Sequence, residues 1–252
     1  MIDDLKNFTY DAYVRFLGFL RQNFNIIPFC EVSKEHGSYL LLRHDVDASL
    51  EAALKMAKVE HDLGLRSTYF VLFSYRFYNL FERNDLATLK QISGLGHEIG
   101  LHYDVVTYES YGQDMKETLE NEIELLECLL GKKVFSIARH NVSFMTGEDP
   151  FKGIKSYINA YDPELCESYV SDSCRSWFLK DLARLLDLNY MKVQLLIHPF
   201  LWTEDVCKRD AVLERLFQEI ERKNNDYRQM WLDVWHKNPK VMEYDRLVEG
   251  RK

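Results

Sequence analysis

The chain has 252 residues, of which 46% are hydrophobic, with a formal net charge of −8 and five cysteines. That length buries one sizeable core and matches one β/α barrel of roughly 250 residues, so a single domain over 1–252 is expected. The acidic balance, without a Lys/Arg block, argues against nucleic acid as a partner, and no apolar run reaches the roughly 20 residues of a transmembrane helix. The start MIDDLKNFTY is acidic and polar where a signal peptide is basic and then apolar, so the expected location is cytoplasmic. Cys30, Cys128, Cys166, Cys174 and Cys207 are odd in number and free of CxxC pairs, which argues against a disulfide framework or a thiolate zinc site.

In chain order, Thr9–Asn23 reads as an opening helix, Tyr39–His44 as a buried strand and Ser49–Leu63 as a helix closing at Gly64. The unit then repeats. Ser67–Phe73 is β-branched and aromatic, Asp85–Ser93 is helical, and Glu98–His102 follows the turn at Gly94–Gly96 as a third strand. From about Gln113, Met115, Leu119, Ile123, Leu126 and Leu130 recur at spacings of three and four, with Gly131 as terminator. Strands are expected at Val134–Ala138, Ser156–Ala160, Tyr169–Ser171 and Met191–Ile197, and a long polar helix at about 208–236 closes the chain. Alternation of strands and helices predicts an irregular (β/α) barrel of about seven parallel strands, its motif-bearing core over about 39–202.

Catalytic groups of such a barrel gather where strands end. Arg43-His44-Asp45-Val46-Asp47, His102-Tyr103-Asp104, Arg139-His140-Asn141, Ser171-Asp172-Ser173 and His198-Pro199 each follow a predicted strand directly. Their Asp and His side chains form the mixed oxygen and nitrogen set that suits zinc, or cobalt and nickel. A metal there would polarise an amide carbonyl and activate water at neutral pH. The plainer readings stand beside this one. Asp45 and Asp47 could cap the helix that follows, and His102 or His198 alone could be a satisfied structural histidine. His36, His61 and His236 have no such placement and read as surface residues, and His97, ahead of its strand, as structural.

Four segments, LLRHDVD at 41–47, STYFVL at 67–72, GHEIGLHYD at 96–104 and LLIHP at 195–199, occur in the order and near the spacings of the NodB-type polysaccharide deacetylases, carbohydrate esterase family 4. From about Leu40 to Trp202 the sequence resembles that family, in particular the branch whose first motif reads His-Asp-Val-Asp. The resemblance implies a metal-dependent hydrolase that removes an acetyl or formyl group from an amino sugar, a glycan or a lipid-linked precursor of surface polysaccharide. It implies Asp45 as general base, Asp47 and His102 as metal ligands, and His198 as the acid that protonates the leaving amine. Arg139 matches the arginine that orients the catalytic aspartate, and Asp172 with Trp177 resembles the motif that supports the histidine. The family's second histidine is missing, because Val106 stands four residues after His102. His140 is the candidate replacement, with Asp104 as fallback. Tyr103, Trp202 and Asn141 are the expected substrate-binding residues, the first two as cleft-lining aromatics. Two rival readings follow: a catalytically silent glycan- or metal-binding barrel, motivated by Val106, and a hydrolase of a non-sugar amide. Oligomeric state is left open by the sequence.

Overall fold

The computed structural model describes residues 2–34, 37–73, 75–140, 148–173, 185 and 191–249. Two compact units are distinguished, Met1–Cys207 and Lys208–Lys252. In the first, helices α1 (Ile2–Leu5) and α2 (Tyr10–Asn23) lead into strand β1 (Asn25–Ile27) and the long β2 (Tyr39–Val46). Then follow α3 (Leu50–Asp62), β3 (Thr68–Val71), α4 (Arg83–Gly94), β4 (Glu98–Tyr103), α5 (Val105–Tyr111), α6 (Met115–Leu130), β5 (Ser136–Arg139), β6 (Ile158–Asn159), β7 (Ser168–Ser171) and β8 (Lys192–Ile197). The strands pair in the order β6-β5-β4-β3-β2-β8-β7, with β1 also on β2, and every pair is parallel. The sheet curls into an irregular (β/α) barrel, with no pairing between β6 and β7 among the described residues. The second unit holds α7 (Arg209–Lys237) and α8 (Pro239–Glu249). No helix among the described residues is long and apolar enough to cross a membrane.

Local chemistry accounts for the helix ends. Ser49 Oγ accepts from Ala52 N and caps α3, while Asp114 caps α6 through Lys116 N and Glu117 N. Gly131 ends α6 at φ 67°, a conformation that costs glycine nothing. β1, α5 and α8 lie outside the predicted elements: each is short, and two or three turns or a three-residue strand leave little periodic signal.

Alternation along the strands sorts side chains into two layers. One parity of β2, β3, β5 and their neighbours faces the barrel interior, where Ile27, Phe29, Tyr39, Leu41, Phe70, Ala138 and Ala160 form one cluster. The other parity faces the helices: Leu40, Leu42, Val193, Leu195 and Ile197 pack on Tyr13, Phe16 and Leu20 of α2. On the far side Tyr69, Val71, Leu101 and Ile137 meet Leu89, Ile92, Leu119 and Ile123 of α4 and α6. The interior is tight at Gly100, where an added Cβ would lie 2.5 Å from two Phe70 ring carbons and 2.8 Å from Ser136 Oγ. Gly100→Ala is expected to cost about 1–3 kcal/mol through overpacking, read as a lower urea midpoint at unchanged slope.

Candidate metal centre

The inward parity of four strands carries the polar residues to one place. Asp45 is the penultimate residue of β2 and Asp47 directly follows the strand; His102 is the penultimate residue of β4, His140 directly follows β5, and His198 directly follows β8. Asp47 Oδ1 lies 3.2 Å from His102 Nε2 and 3.3 Å from His140 Nδ1, and those two nitrogens are 3.1 Å apart. A tetrahedral ion with bonds of roughly 2.0–2.1 Å holds its ligand atoms about 3.3–3.4 Å from one another, so this near-equilateral triangle has the dimensions of three corners of such a site. Among the described residues Asp47 Oδ1 is buried and has no hydrogen-bond donor assigned to it, an acceptor that a cation would satisfy. His102 is also set up as a ligand: its Nδ1 lies 2.9 Å from the Ala138 carbonyl, which can only accept. A neutral His102 therefore carries its proton on Nδ1 and turns its Nε2 lone pair toward the triad, as a ligand must. The neighbouring histidines hold the Asp47 carboxyl well below the ordinary range although burial works to raise it. The residues present thus fit a divalent metal.

His140, the expected replacement ligand, supplies the third corner of this triangle. Val106 is exposed on α5, and Asp104 is occupied in capping that helix, accepting from Val106 N and Thr107 Oγ1.

Asp45 lies beside the triad, with Oδ2 3.6 Å from His102 Nε2. Arg43 grips it from two positions earlier on the same strand: Nε donates to Oδ1 at 2.7 Å and Nη2 to Oδ2 at 2.8 Å. Both residues are buried, and the guanidinium also lies 4.6 Å from the Tyr161 ring and donates to its hydroxyl. Burial would raise the Asp45 carboxyl, but the Arg43 charge outweighs it and keeps the group below its usual value. Just after β8, the neighbour of β2, His198 Nδ1 lies 2.6 Å from Asp172 Oδ1, with Nε2 3.7 Å from Asp47 Oδ2. Asp172 is fully buried and accepts as well from His198 N and from the Trp202 indole N–H at 2.9 Å. Burial favours neutral His198, yet the Asp172 charge prevails and raises it to about 9.

Three sequence expectations change here. The guanidinium on Asp45 is Arg43's, not Arg139's: Arg139 is one residue out of phase with His140 and Ala138, so it follows the outward parity shared with Ile137. Tyr103 has the same outward parity on β4. It is 0% exposed, bonded through its hydroxyl to Asp149 and edge-on to Phe151, and so belongs to the core rather than a cleft wall. Trp202, 2% exposed between Phe8 and Tyr13, supports Asp172 and offers no stacking surface. Asn141 and Trp177 fall outside the described residues. Residues missed from the sequence are Arg43 and Glu60. Arg43 was findable, since i and i+2 of a strand share a face. Glu60, buried on α3, stands 2.8 Å from His44 Nε2 and accepts from Tyr13 and Ser67 hydroxyls, with His97 alongside. A mid-helix glutamate gave no signal that it would be buried beneath the HDVD segment.

No protein-family model matches the sequence, and no curated protein matches it. Among solved structures the chain is similar to a CE4 family pseudoenzyme from Bacillus anthracis, with 15% identity over 73% of this chain and 62% of that one at a TM-score of 0.46. It thus spans less than two thirds of that protein's length. It is likewise similar to peptidoglycan deacetylase PdaC from Bacillus subtilis, with 15% identity over 78% and 98% of the two chains at a TM-score of 0.47. A third similar structure is the chitin deacetylase of Colletotrichum lindemuthianum, with 16% identity over 71% and 81% at a TM-score of 0.46.

Proposed function

We propose that the chain is a metal-dependent hydrolase that removes an acetyl or formyl group from the nitrogen of an amino sugar or glycan precursor, serving surface-polysaccharide synthesis in the cytoplasm. The observation that carries this reading is the Asp47–His102–His140 triangle flanked by a gripped carboxylate and a charged histidine. When bound, a divalent ion, zinc first by its donor set, supplies Lewis-acid polarisation of the acyl carbonyl and a more acidic water. Asp45 takes the proton of the attacking water at its carboxylate, held in place by Arg43. His198 donates from Nε2 to the departing nitrogen, and Asp172 fixes the ring and its charge for that step. Base and acid thus have their proton affinities pushed apart, Asp45 downward and His198 upward. The choice of an N-acylated sugar is supported by the four motif segments that resemble the polysaccharide deacetylases. The described cysteines are free thiols, which suits a reducing compartment.

The test is elemental analysis of the purified protein and its His102→Ala and His140→Ala variants, with acetate release from N-acetylated amino-sugar oligomers. Near one equivalent of metal, lost in both variants together with acetate release, is the expected result. Failure to take up zinc, cobalt or nickel, or full metal retention in both variants, overturns the proposal.

A further inference from the structure

One buried anion takes no part in the proposed chemistry. The buried residues of α3 are Leu50, Ala53, Met56, Ala57 and Glu60, so Glu60 stands on the core-facing side of its helix, where an apolar residue would ordinarily pack. It is 0% exposed, and a buried charge is costly unless polar groups gather around it. From α2 the Tyr13 hydroxyl donates to Oε1 at 2.6 Å, and Ser67, just ahead of β3, donates to Oε2. From β2 His44 Nε2 stands 2.8 Å from Oε1, its ring stacked on Tyr69 at a centroid distance of 4.3 Å. His97, just ahead of β4, lies 3.6 Å from Oε2 but turns its nitrogens elsewhere: Nε2 donates to the Ala57 carbonyl and Nδ1 accepts from Ser67 N. Among the described residues no lysine or arginine pairs with this carboxylate. Burial works to raise it, but His44, first among its neighbours, outweighs burial and brings it down to about 2, so Glu60 is ionised at neutral pH.

On the hydrolase reading, on which this step rests, we infer that Glu60 is a positioning residue for both catalytic arms: through His44 it fixes the stretch of β2 that carries Asp45, and through Tyr13 it braces the Trp202 that holds Asp172. Strand alternation sets the geometry. His44 points into the helix layer toward α3, while Arg43 and Asp45 on either side of it point into the barrel and grip each other there. A ring held between Tyr69 and Glu60 therefore fixes the backbone from which the Arg43–Asp45 pair projects. The acid arm is reached in one more step. The Tyr13 ring packs on Trp202 at 5.1 Å, the Trp202 indole N–H donates to Asp172, and Asp172 holds His198. Tyr13 can brace that indole in one orientation because its own hydroxyl is tied to Glu60. A leucine at position 60 would fill the space without directing either arm, since apolar contacts have no preferred direction, whereas hydrogen bonds and charge contacts do.

Glu60→Gln in the full chain tests this, because the amide keeps the shape and loses the charge; Tyr13→Phe, which removes a single donor, is the milder variant should the first not fold. Expected for Glu60→Gln are unchanged metal content and KM for an N-acetylated amino-sugar oligomer, with kcat lowered about ten- to hundredfold, the size of effect a displaced catalytic group produces. Tyr13→Phe should lower kcat in the same way by roughly three- to tenfold. Hydrogen exchange of the Arg43 Nε–H, followed by NMR, reads the same effect without turnover, since that proton is protected by its bond to Asp45. It should exchange at least about tenfold faster in Glu60→Gln while the backbone amides between β4 and β5 keep their rates, because general destabilisation would speed both together. A wild-type kcat in the folded variants, or Arg43 exchange that rises only in step with the β4–β5 amides, overturns the inference. A wild-type protein that releases no acetate fails the hydrolase reading instead, and the Arg43 exchange alone then decides whether Glu60 holds the base in place.

Discussion

Replacing Arg43 with methionine is expected to destabilise the protein by about 3–5 kcal/mol and to abolish acetate release. The side chain is fully buried, and it holds Asp45, itself almost fully buried, through two charge-assisted bonds. Removing one partner of such a pair leaves the other charge in a poorly polarisable interior, which costs far more than the net worth of the pair. Methionine keeps most of the stem volume, so packing against Phe70 and Tyr161 is largely preserved and the electrostatic part is isolated. Urea unfolding reads the stability and released acetate reads the activity. Combining Arg43→Met with Asp45→Asn should recover a large part of the stability, because the unpaired charge is gone, while activity stays lost for want of a base. Asp45→Asn alone should fold, keep its metal and lose turnover by at least about three orders of magnitude if Asp45 is the base. A wild-type stability in the Arg43→Met variant would mean that the buried carboxylate has another source of compensation.

Replacing Asp172 with asparagine is expected to lower kcat by about 10²–10⁴-fold and to move the alkaline limb of the pH profile toward acid. The sign follows from which form of His198 works. The donor must be protonated, so activity is present below its pKa and falls as pH rises through it, with the wild-type limb near the value of about 9 to which Asp172 raises it. Asparagine keeps the shape and an acceptor for the Trp202 N–H and the backbone N–H of His198 but removes the charge. His198 then titrates lower, since burial, the opposing influence, is unrelieved. The stability linkage has the same direction. A histidine whose folded pKa is raised stabilises fully below its unfolded value near 6.5 and loses that contribution as pH rises through about 9, so the variant should be less stable than wild type at neutral pH and converge with it in alkali. An alkaline limb unmoved by the substitution would remove His198 from the role of acid.

The amino-acid sequence by itself determined the strand ends. Period-two alternation and short apolar runs placed Asp45, Asp47, His102, His140 and His198 at or just after the C-terminal ends of strands, and a parallel barrel collects such positions on one face. Parity was legible too, and it separates the inward His102 and His140 from the outward Tyr103 and Arg139, whose assignment to the site went against it. The order β6-β5-β4-β3-β2-β8-β7 was beyond reach of the sequence, because it depends on which strands pair across long separations. That order sets β4 beside β5, and so brings His140 within 3.1 Å of His102. Burial was likewise decided in three dimensions: an aromatic at a strand end reads the same whether it lines a cleft or, like Trp202, braces a carboxylate from behind. Local pattern fixes direction along a strand or helix, but only packing fixes what each side chain meets.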